Sequence, residues 1–122
     1  MSDHKLAAEL VMRCFHSRTA AHVLHLKSKS YSEHMALHDF YDEIVDLTDA
    51  FAEMYQGEYM TLLNEHPDGY KNPPNALALV NGLASWIDAN RKKVCDSSQC
   101  QSQIDLIVML CNQTAYKLKF LA

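Results

Sequence analysis

The sequence predicts a single all-α domain built as a four-helix bundle, and three observations support this prediction. The chain has 122 residues, which suits one domain with its own core and leaves little room for a second. It contains only 3 glycines and 3 prolines, fewer than a turn-rich β-sandwich needs. Four stretches carry apolar residues at helical spacing, and helix-breaking residues separate them.

The first predicted helix runs from about Asp3 to Leu26. Its apolar residues recur three, four and seven positions apart: Leu6, Leu10, Cys14, Ala21 and Leu24. The alternating lysines and serines of residues 27–30 end this pattern. We therefore expect a short turn here rather than a continuous helix.

The second predicted helix runs from about Ser32 to Gln56. Ser32 is suited to cap its first turn, and Glu33 places an acid at the positive end of the helix. Gly57 follows the last apolar residue and is suited to the left-handed conformation that ends many helices. The pattern therefore predicts that this helix stops at Gly57.

A longer connection separates the second and third helices. Tyr59 to Asn64 could form one or two helical turns, whereas Pro67-Asp68-Gly69 and Pro73-Pro74 are typical of turns. We predict a short helix within this crossover. The third helix then extends from about Asn75 to Val94, with a broad apolar face.

The fourth predicted helix runs from about Ser98 to Phe120 after a brief loop. Its apolar face is formed at helical spacing by Ile104, Ile107 or Val108, Cys111, Ala115 and Leu118. Two helical hairpins joined by one longer crossover is the chain order of a four-helix bundle with a single crossover connection. A single domain over residues 1–122 accounts for the whole chain.

Composition and charge exclude several classes of partner. The formal net charge is -4 and no basic run is present at the N-terminus, so we expect no nucleic-acid partner. No stretch reaches the roughly 18 apolar residues of a membrane span, and residues 1–10 carry charges where a signal peptide is apolar. The expectation is a protein of the cytoplasm with no membrane partner.

The four cysteines are expected to be reduced thiols in such a compartment. Cys14 and Cys111 lie in apolar runs and suit the core. Cys95 and Cys100 lack a nearby histidine or a second cysteine pair, so a tetrahedral metal site is disfavoured.

A polar stripe along the second helix is the most informative functional feature of the sequence. At 100° per residue the large apolar side chains share one side, and roughly opposite them lie His34, His38, Asp42, Asp49 and Glu53. The simplest interpretation is a solvated face. Val45 and Ala52, however, lie within the stripe, which favours a face covered by something other than water.

The stripe is also symmetric in its spacing. His38 and Glu53 are equally far from the midpoint between residues 45 and 46, and so are Asp42 and Asp49. An identical antiparallel helix on a twofold axis would therefore place His38 against Glu53, and Asp42 against Asp49. This arrangement predicts a homodimer, or a larger assembly, formed through the second helix.

Such nitrogen and oxygen ligands suit Fe(II), Mn(II) or Zn(II). Clustered carboxylates would otherwise repel one another and need protons or a cation. The first helix adds His25 as a further candidate ligand on its apolar side, and His22 as a weaker one. A lone histidine on such a face is more often a core residue, so both roles stay open on the sequence alone.

Two segments of the chain resemble a known family. Residues 25–57 read HLKSKSYSEHMALHDFYDEIVDLTDAFAEMYQG and resemble the ferritin-like superfamily, and within it the starvation-induced Dps proteins. They look closer still to small Dps-like proteins encoded by tailed phages. Residues 103–121, QIDLIVMLCNQTAYKLKFL, are similar to the last helix of that group.

The resemblance implies a ferritin-like bundle with a short helix in the crossover, and an iron site between twofold-related subunits. The Dps pattern of ligands falls on His25, His38, Asp42, Asp49 and Glu53, and it implies oxidation of bound Fe(II) by peroxide. A phage origin would place the protein in the host-cell cytoplasm.

The sequence departs from the Dps pattern in three ways. About one helical turn is missing between Asp42 and Asp49, the chain is short for a shell-forming subunit, and the basic DNA-binding tail is absent. The alternative is therefore a bundle that binds a host or phage protein and has no metal chemistry.

Overall fold

The computed structural model describes residues 3–121 and confirms an all-helical chain. Four helices pack against one another, and residues 3–121 contain no strand. The helices are α1 (His4–Lys27), α2 (Tyr31–Tyr59), α3 (Ala76–Val94) and α4 (Ser98–Phe120). The predicted bounds of the first, third and fourth helices agree with these within one residue.

Neighbouring helices in the bundle run antiparallel. Helix α1 packs against α2 and α3, and α4 packs against the same two helices. The Asp3 amide donates to the Val94 carbonyl over 3.2 Å, which places the start of α1 beside the end of α3. Ser97, which precedes α4, donates to the Glu58 carboxylate near the end of α2 over 2.8 Å. The crossover therefore returns along the length of the bundle before α3 begins.

The core is formed by the apolar faces of all four helices. Helix α2 contributes the largest side chains, among them Phe40, Phe51 and Tyr55, which are fully buried. The predicted apolar face of α4 is also buried at Ile104, Ile107 and Cys111. None of the helices in residues 3–121 has the length and apolar character needed to cross a membrane.

The end of α2 differs from the prediction. The helix continues through Gly57 to Tyr59, and the left-handed residue is Met60, with φ of 49°. The Thr61 amide donates to the Gln56 carbonyl over 3.2 Å, and the Leu63 amide donates to the Gln56 side chain over 2.9 Å. These bonds satisfy the carbonyl and side chain of the last turn, so the helix ends without a glycine.

The predicted short helix in the crossover is wrong. Residues 61–75 form no helix. Only six residues separate Met60 from Pro67. The proline also disfavours helical backbone at the residue before it. A helix of so few residues forms too few hydrogen bonds to offset the conformational entropy that is lost when its first turn is ordered. The segment instead lies along α1, where the Asn72 side chain accepts a hydrogen bond from His16 over 3.1 Å.

The expectation of four reduced thiols is also wrong, because Cys95 and Cys100 form a disulfide. Cys95 follows α3 in extended conformation, and Cys100 lies in the first turn of α4. The α3–α4 turn brings their Cα atoms within 6.4 Å, a separation that a disulfide spans. The expected redox compartment does not indicate how close two cysteines lie in the fold, so the prediction did not include this pair. Cys14 and Cys111 are free and buried, as predicted.

Candidate functional site

Four histidines and a tyrosine gather where α1 and α2 meet at one end of the bundle. The His25 and His34 rings stack with centroids 3.6 Å apart, and the His38 ring lies 5.8 Å from that of His25. The His22 ring stacks on Tyr41 at 4.3 Å. This histidine cluster (His22, His25, His34 and His38) contains two of the five predicted ligands.

His25 and His34 hold each other in place through the backbone. His25 Nδ1 donates to the His34 carbonyl over 2.7 Å, and His34 Nδ1 donates to the His25 carbonyl over 2.9 Å. A carbonyl oxygen can only accept, so the Nδ1 atom of each ring carries the proton. In the neutral ring the lone pair then belongs to Nε2, which is the arrangement that metal-binding histidines use.

His38 is the more accessible histidine of the predicted set. Its side chain is 43% exposed. Its Nδ1 atom is shielded from solvent and has no hydrogen-bond partner among residues 3–121. Asp39 Oδ1 lies 3.6 Å from it, which is too far for a hydrogen bond. His38 therefore keeps unused donor and acceptor capacity.

The three predicted carboxylates, Asp42, Asp49 and Glu53, are exposed on the outer side of α2. With a rise of about 1.5 Å per residue, Asp49 lies about 10 Å along the axis from Asp42, and Glu53 about 22 Å from His38. One chain therefore places His25, His38 and Asp42 at one end of the stripe, and Asp49 and Glu53 at the other.

No group of three or more histidine, cysteine or acidic side chains has the arrangement of a metal site within residues 3–121. This result agrees with the wide spacing along α2. The five predicted ligands come together only if a second copy supplies Asp49 and Glu53.

The outer face of α2 is strongly acidic. Six exposed carboxylates lie along it: Asp39, Asp42, Glu43, Asp46, Asp49 and Glu53. The helix contains no lysine or arginine, and Lys117 of α4 reaches only Asp39, over 3.5 Å. This face therefore attracts cations and repels a second copy of itself.

Val45 and Ala52 are partly covered by their own chain. Val45 packs against the core, and Ala52 borders a groove beside α1. Their place in the polar stripe is therefore explained without a partner.

Two members of the histidine cluster, His34 and His22, make more ring contacts than the sequence predicted. His34 was predicted to lie in the polar stripe, whose simplest interpretation was a solvated face, yet its ring is stacked against that of His25. His22 packs on Tyr41, whose ring also lies 5.2 Å from that of His38. Helical hairpin geometry could have indicated this cluster, because pairs of histidines stand on both sides of the same short turn.

The comparisons identify the family of the chain. A family model described as a family of unknown function, DUF5856, matches residues 25–118, from the last turn of α1 to near the end of α4. No curated protein and no solved structure matches the chain. The match spans most of the chain, including the histidine cluster from His25 onward and the acidic face of α2. The chain belongs to the DUF5856 family.

Proposed function

We propose that this chain is a small ferritin-like, Dps-like protein that binds iron or a similar divalent metal between two copies. His25, His38 and Asp42 of one copy, with Asp49 and Glu53 of the second, are the proposed ligands. The observation that carries the proposal is the orientation of His25. Its Nδ1–H is held by a backbone carbonyl, so Nε2 keeps a lone pair beside His38.

The up-down-down-up order of the helices, with one long crossover, supports the ferritin-like part of the proposal. The acidic face of α2 supports the metal part, because an unneutralised pair of such faces would repel. Fe(II) is the substrate in this proposal. Each ion loses one electron, and peroxide takes up two electrons and two protons to form two molecules of water.

Anaerobic titration with Fe(II) tests this function. We expect saturable binding, followed by oxidation when peroxide is added. Asp49→Ala with Glu53→Ala removes two of the five proposed ligands, both of those that the second copy supplies, and should abolish both binding and oxidation. The matched control is Asp39→Ala with Glu43→Ala, which removes the same charge at the same spacing on the same helix. Absence of bound metal and of oxidation, with no effect of the first pair, would refute the proposal.

A second candidate function is a bundle that binds a host or phage protein without metal chemistry. An exposed apolar row on α4 favours it. The row consists of Leu106, Met109, Tyr116 and Phe120, which are 41% to 67% exposed. With the polar Gln113 between Met109 and Tyr116, these positions follow one another in alternating steps of three and four, which is the spacing of a helix-pairing face.

Affinity capture in the presence of a chelator separates the two functions. A heterologous partner that survives Asp49→Ala with Glu53→Ala, and is lost with Met109→Glu and Tyr116→Glu, would support the interaction protein. Recovery of the chain alone would contradict it.

A further inference from the structure

A groove lies on the other side of α1 from the histidine cluster. It is bounded by α1, the crossover and α3, and has a volume of about 460 Å³. This size is that of a small-molecule site. Its polar lining includes Arg13, His16 and Lys71, and no aspartate or glutamate is among the described residues that line it. The charged residues that line the groove are therefore basic, although the chain as a whole has a net charge of -4.

Arg13 is held rigidly at this groove. Its guanidinium lies 4.5 Å from the centroid of the Tyr70 ring and 4.7 Å from that of Trp86. Glu9 Oε2 accepts a hydrogen bond from Nε over 2.8 Å and lies 2.8 Å from Nη2 in an ion pair, which leaves Nη1 for another acceptor. An arginine between aromatic rings and a carboxylate loses little freedom when it binds an anion.

Tyr70 supplies a second donor. Its hydroxyl oxygen is shielded from solvent and has no hydrogen-bond partner in the described part of the chain. Burial and the nearby Glu9 and Asp68 carboxylates raise the pKa of this phenol against the opposing effect of Arg13, so it remains a protonated donor at neutral pH. Shielded polar atoms are rarely left without a partner in native proteins. The missing acceptor can come from a bound molecule.

We propose that this groove binds a small flat anion, namely an aromatic ring that carries a carboxylate or phosphate group. The oxyanion accepts from the Tyr70 hydroxyl and from Arg13 Nη1, and it is attracted by Lys71. The ring lies against the apolar wall that Trp86 and Leu83 provide. The site shares no residue with the proposed metal site, whose ligands lie on α2 and, for His25, near the end of α1.

Gly82 keeps part of this groove open. A Cβ atom built at this position meets no heavy atom within 4 Å. A larger side chain on this exposed turn of α3 would therefore occupy the groove rather than clash with the bundle. Leucine and alanine are also better helix formers than glycine, so both substitutions should preserve the fold.

Trp86 is the single tryptophan of the chain, and it reports directly on the groove. We expect phenyl phosphate or benzoate, added to the metal-free full-length protein, to change Trp86 fluorescence saturably. Tighter binding of phenyl phosphate would indicate that the groove prefers a phosphate group, and tighter binding of benzoate that it prefers a carboxylate. Inorganic phosphate and benzyl alcohol each supply only half of the recognised chemistry, so each should bind at least about tenfold more weakly. Failure of both ring-bearing anions, or equal binding of either half alone, would overturn the proposal.

Two substitutions link the signal to the groove. Tyr70→Phe removes only the unpartnered hydroxyl and should weaken binding about tenfold while leaving stability to urea unchanged or higher. Gly82→Leu should block binding, and Gly82→Ala, the matched control, should retain it. Unchanged binding in both Tyr70→Phe and Gly82→Leu would show that the anion binds elsewhere. Because no metal is present, this test is independent of the proposed metal function.

Discussion

Burial dominates the behaviour of individual residues in the bundle core. It raises the pKa of the Cys14 and Cys111 thiols to about 12 from an ordinary value of 9.0. Between about pH 9 and pH 12, the folded protein therefore keeps both thiol protons whereas the unfolded chain loses them. Thiols that remain protonated and buried react slowly with alkylating reagents.

The thiol pKa values predict how stability varies with pH. Below about pH 9 both states carry the two protons, and the thiols contribute no pH dependence. Above it the unfolded state binds fewer protons, so the free energy of unfolding falls by up to about 1.4 kcal/mol per thiol per pH unit. Urea unfolding between pH 8 and pH 11 measures this fall. Cys14→Ala with Cys111→Ala should flatten it, and an equally steep fall in that variant would contradict the assignment.

His25 is predicted to stabilise the α1–α2 junction. It is buried, stacks on His34 and donates to the His34 carbonyl. His25→Ala removes this bond and the stacked ring, and should lower the free energy of unfolding by about 2 kcal/mol. His66 is exposed in the crossover, so His66→Ala should change the free energy of unfolding by less than about 0.5 kcal/mol. Equal effects of the two substitutions would argue against the stacked pair.

The C-terminal end of α2 is one element at which sequence and structure disagree. The sequence pattern favoured Gly57 as the end of α2, yet the helix passes through it to Tyr59 and Met60 is the left-handed residue that follows. Local rules favour glycine at such ends, but the Gln56 bonds and the onset of the crossover decide the position here. The preference for glycine at helix ends considers only the residue at the end. It cannot include the hydrogen bond between Gln56 and Leu63, which are seven residues apart.

Substitutions at Gly57 and Met60 test where α2 ends. Gly57→Ala should raise the free energy of unfolding by about 0.5–1 kcal/mol, because the residue is helical and its Cβ atom meets nothing. Met60→Gly should also stabilise the protein by about 1 kcal/mol, since Met60 is 86% exposed and left-handed. If Gly57 instead ended the helix in a left-handed conformation, Gly57→Ala would be destabilising.

The α3–α4 turn is stabilised by its disulfide and by Gln101. The Gln101 side chain donates to the carbonyls of Arg91 and Cys95 over 2.9 and 2.7 Å. Closing so short a loop by a disulfide contributes about 2 kcal/mol by restricting the unfolded chain. Cys100→Ala should therefore lower stability by about that amount in the absence of reductant. With excess reductant the variant and the parent protein should differ much less.

At the scale of the whole molecule, the proposed metal site and the proposed dimer depend on each other. Two acidic α2 faces repel in the absence of a cation, and each face carries only part of the ligand set. We therefore predict that the protein forms an α2 dimer when a divalent ion is added and dissociates when it is chelated. Analytical ultracentrifugation with Mn(II) or Zn(II), and then with excess chelator, measures this change.

Asp49→Ala with Glu53→Ala should abolish the metal-dependent dimer, whereas Asp39→Ala with Glu43→Ala should leave it intact. A dimer that persists without metal would indicate a different interface, such as the exposed apolar row of α4. That result would contradict the α2 arrangement while leaving a separate test of metal binding open.

The sequence alone predicted the four helices, because apolar residues at helical spacing must be buried together whatever the partner helix. It also predicted the buried free cysteines and the acidic outer side of α2, since both follow from position along one helix. The His25–His34 stack, the Cys95–Cys100 disulfide and the Arg13–Tyr70–Trp86 groove required the tertiary structure. Each depends on how two helices or a helix and a loop approach one another, and spacing within one segment carries no information about that approach.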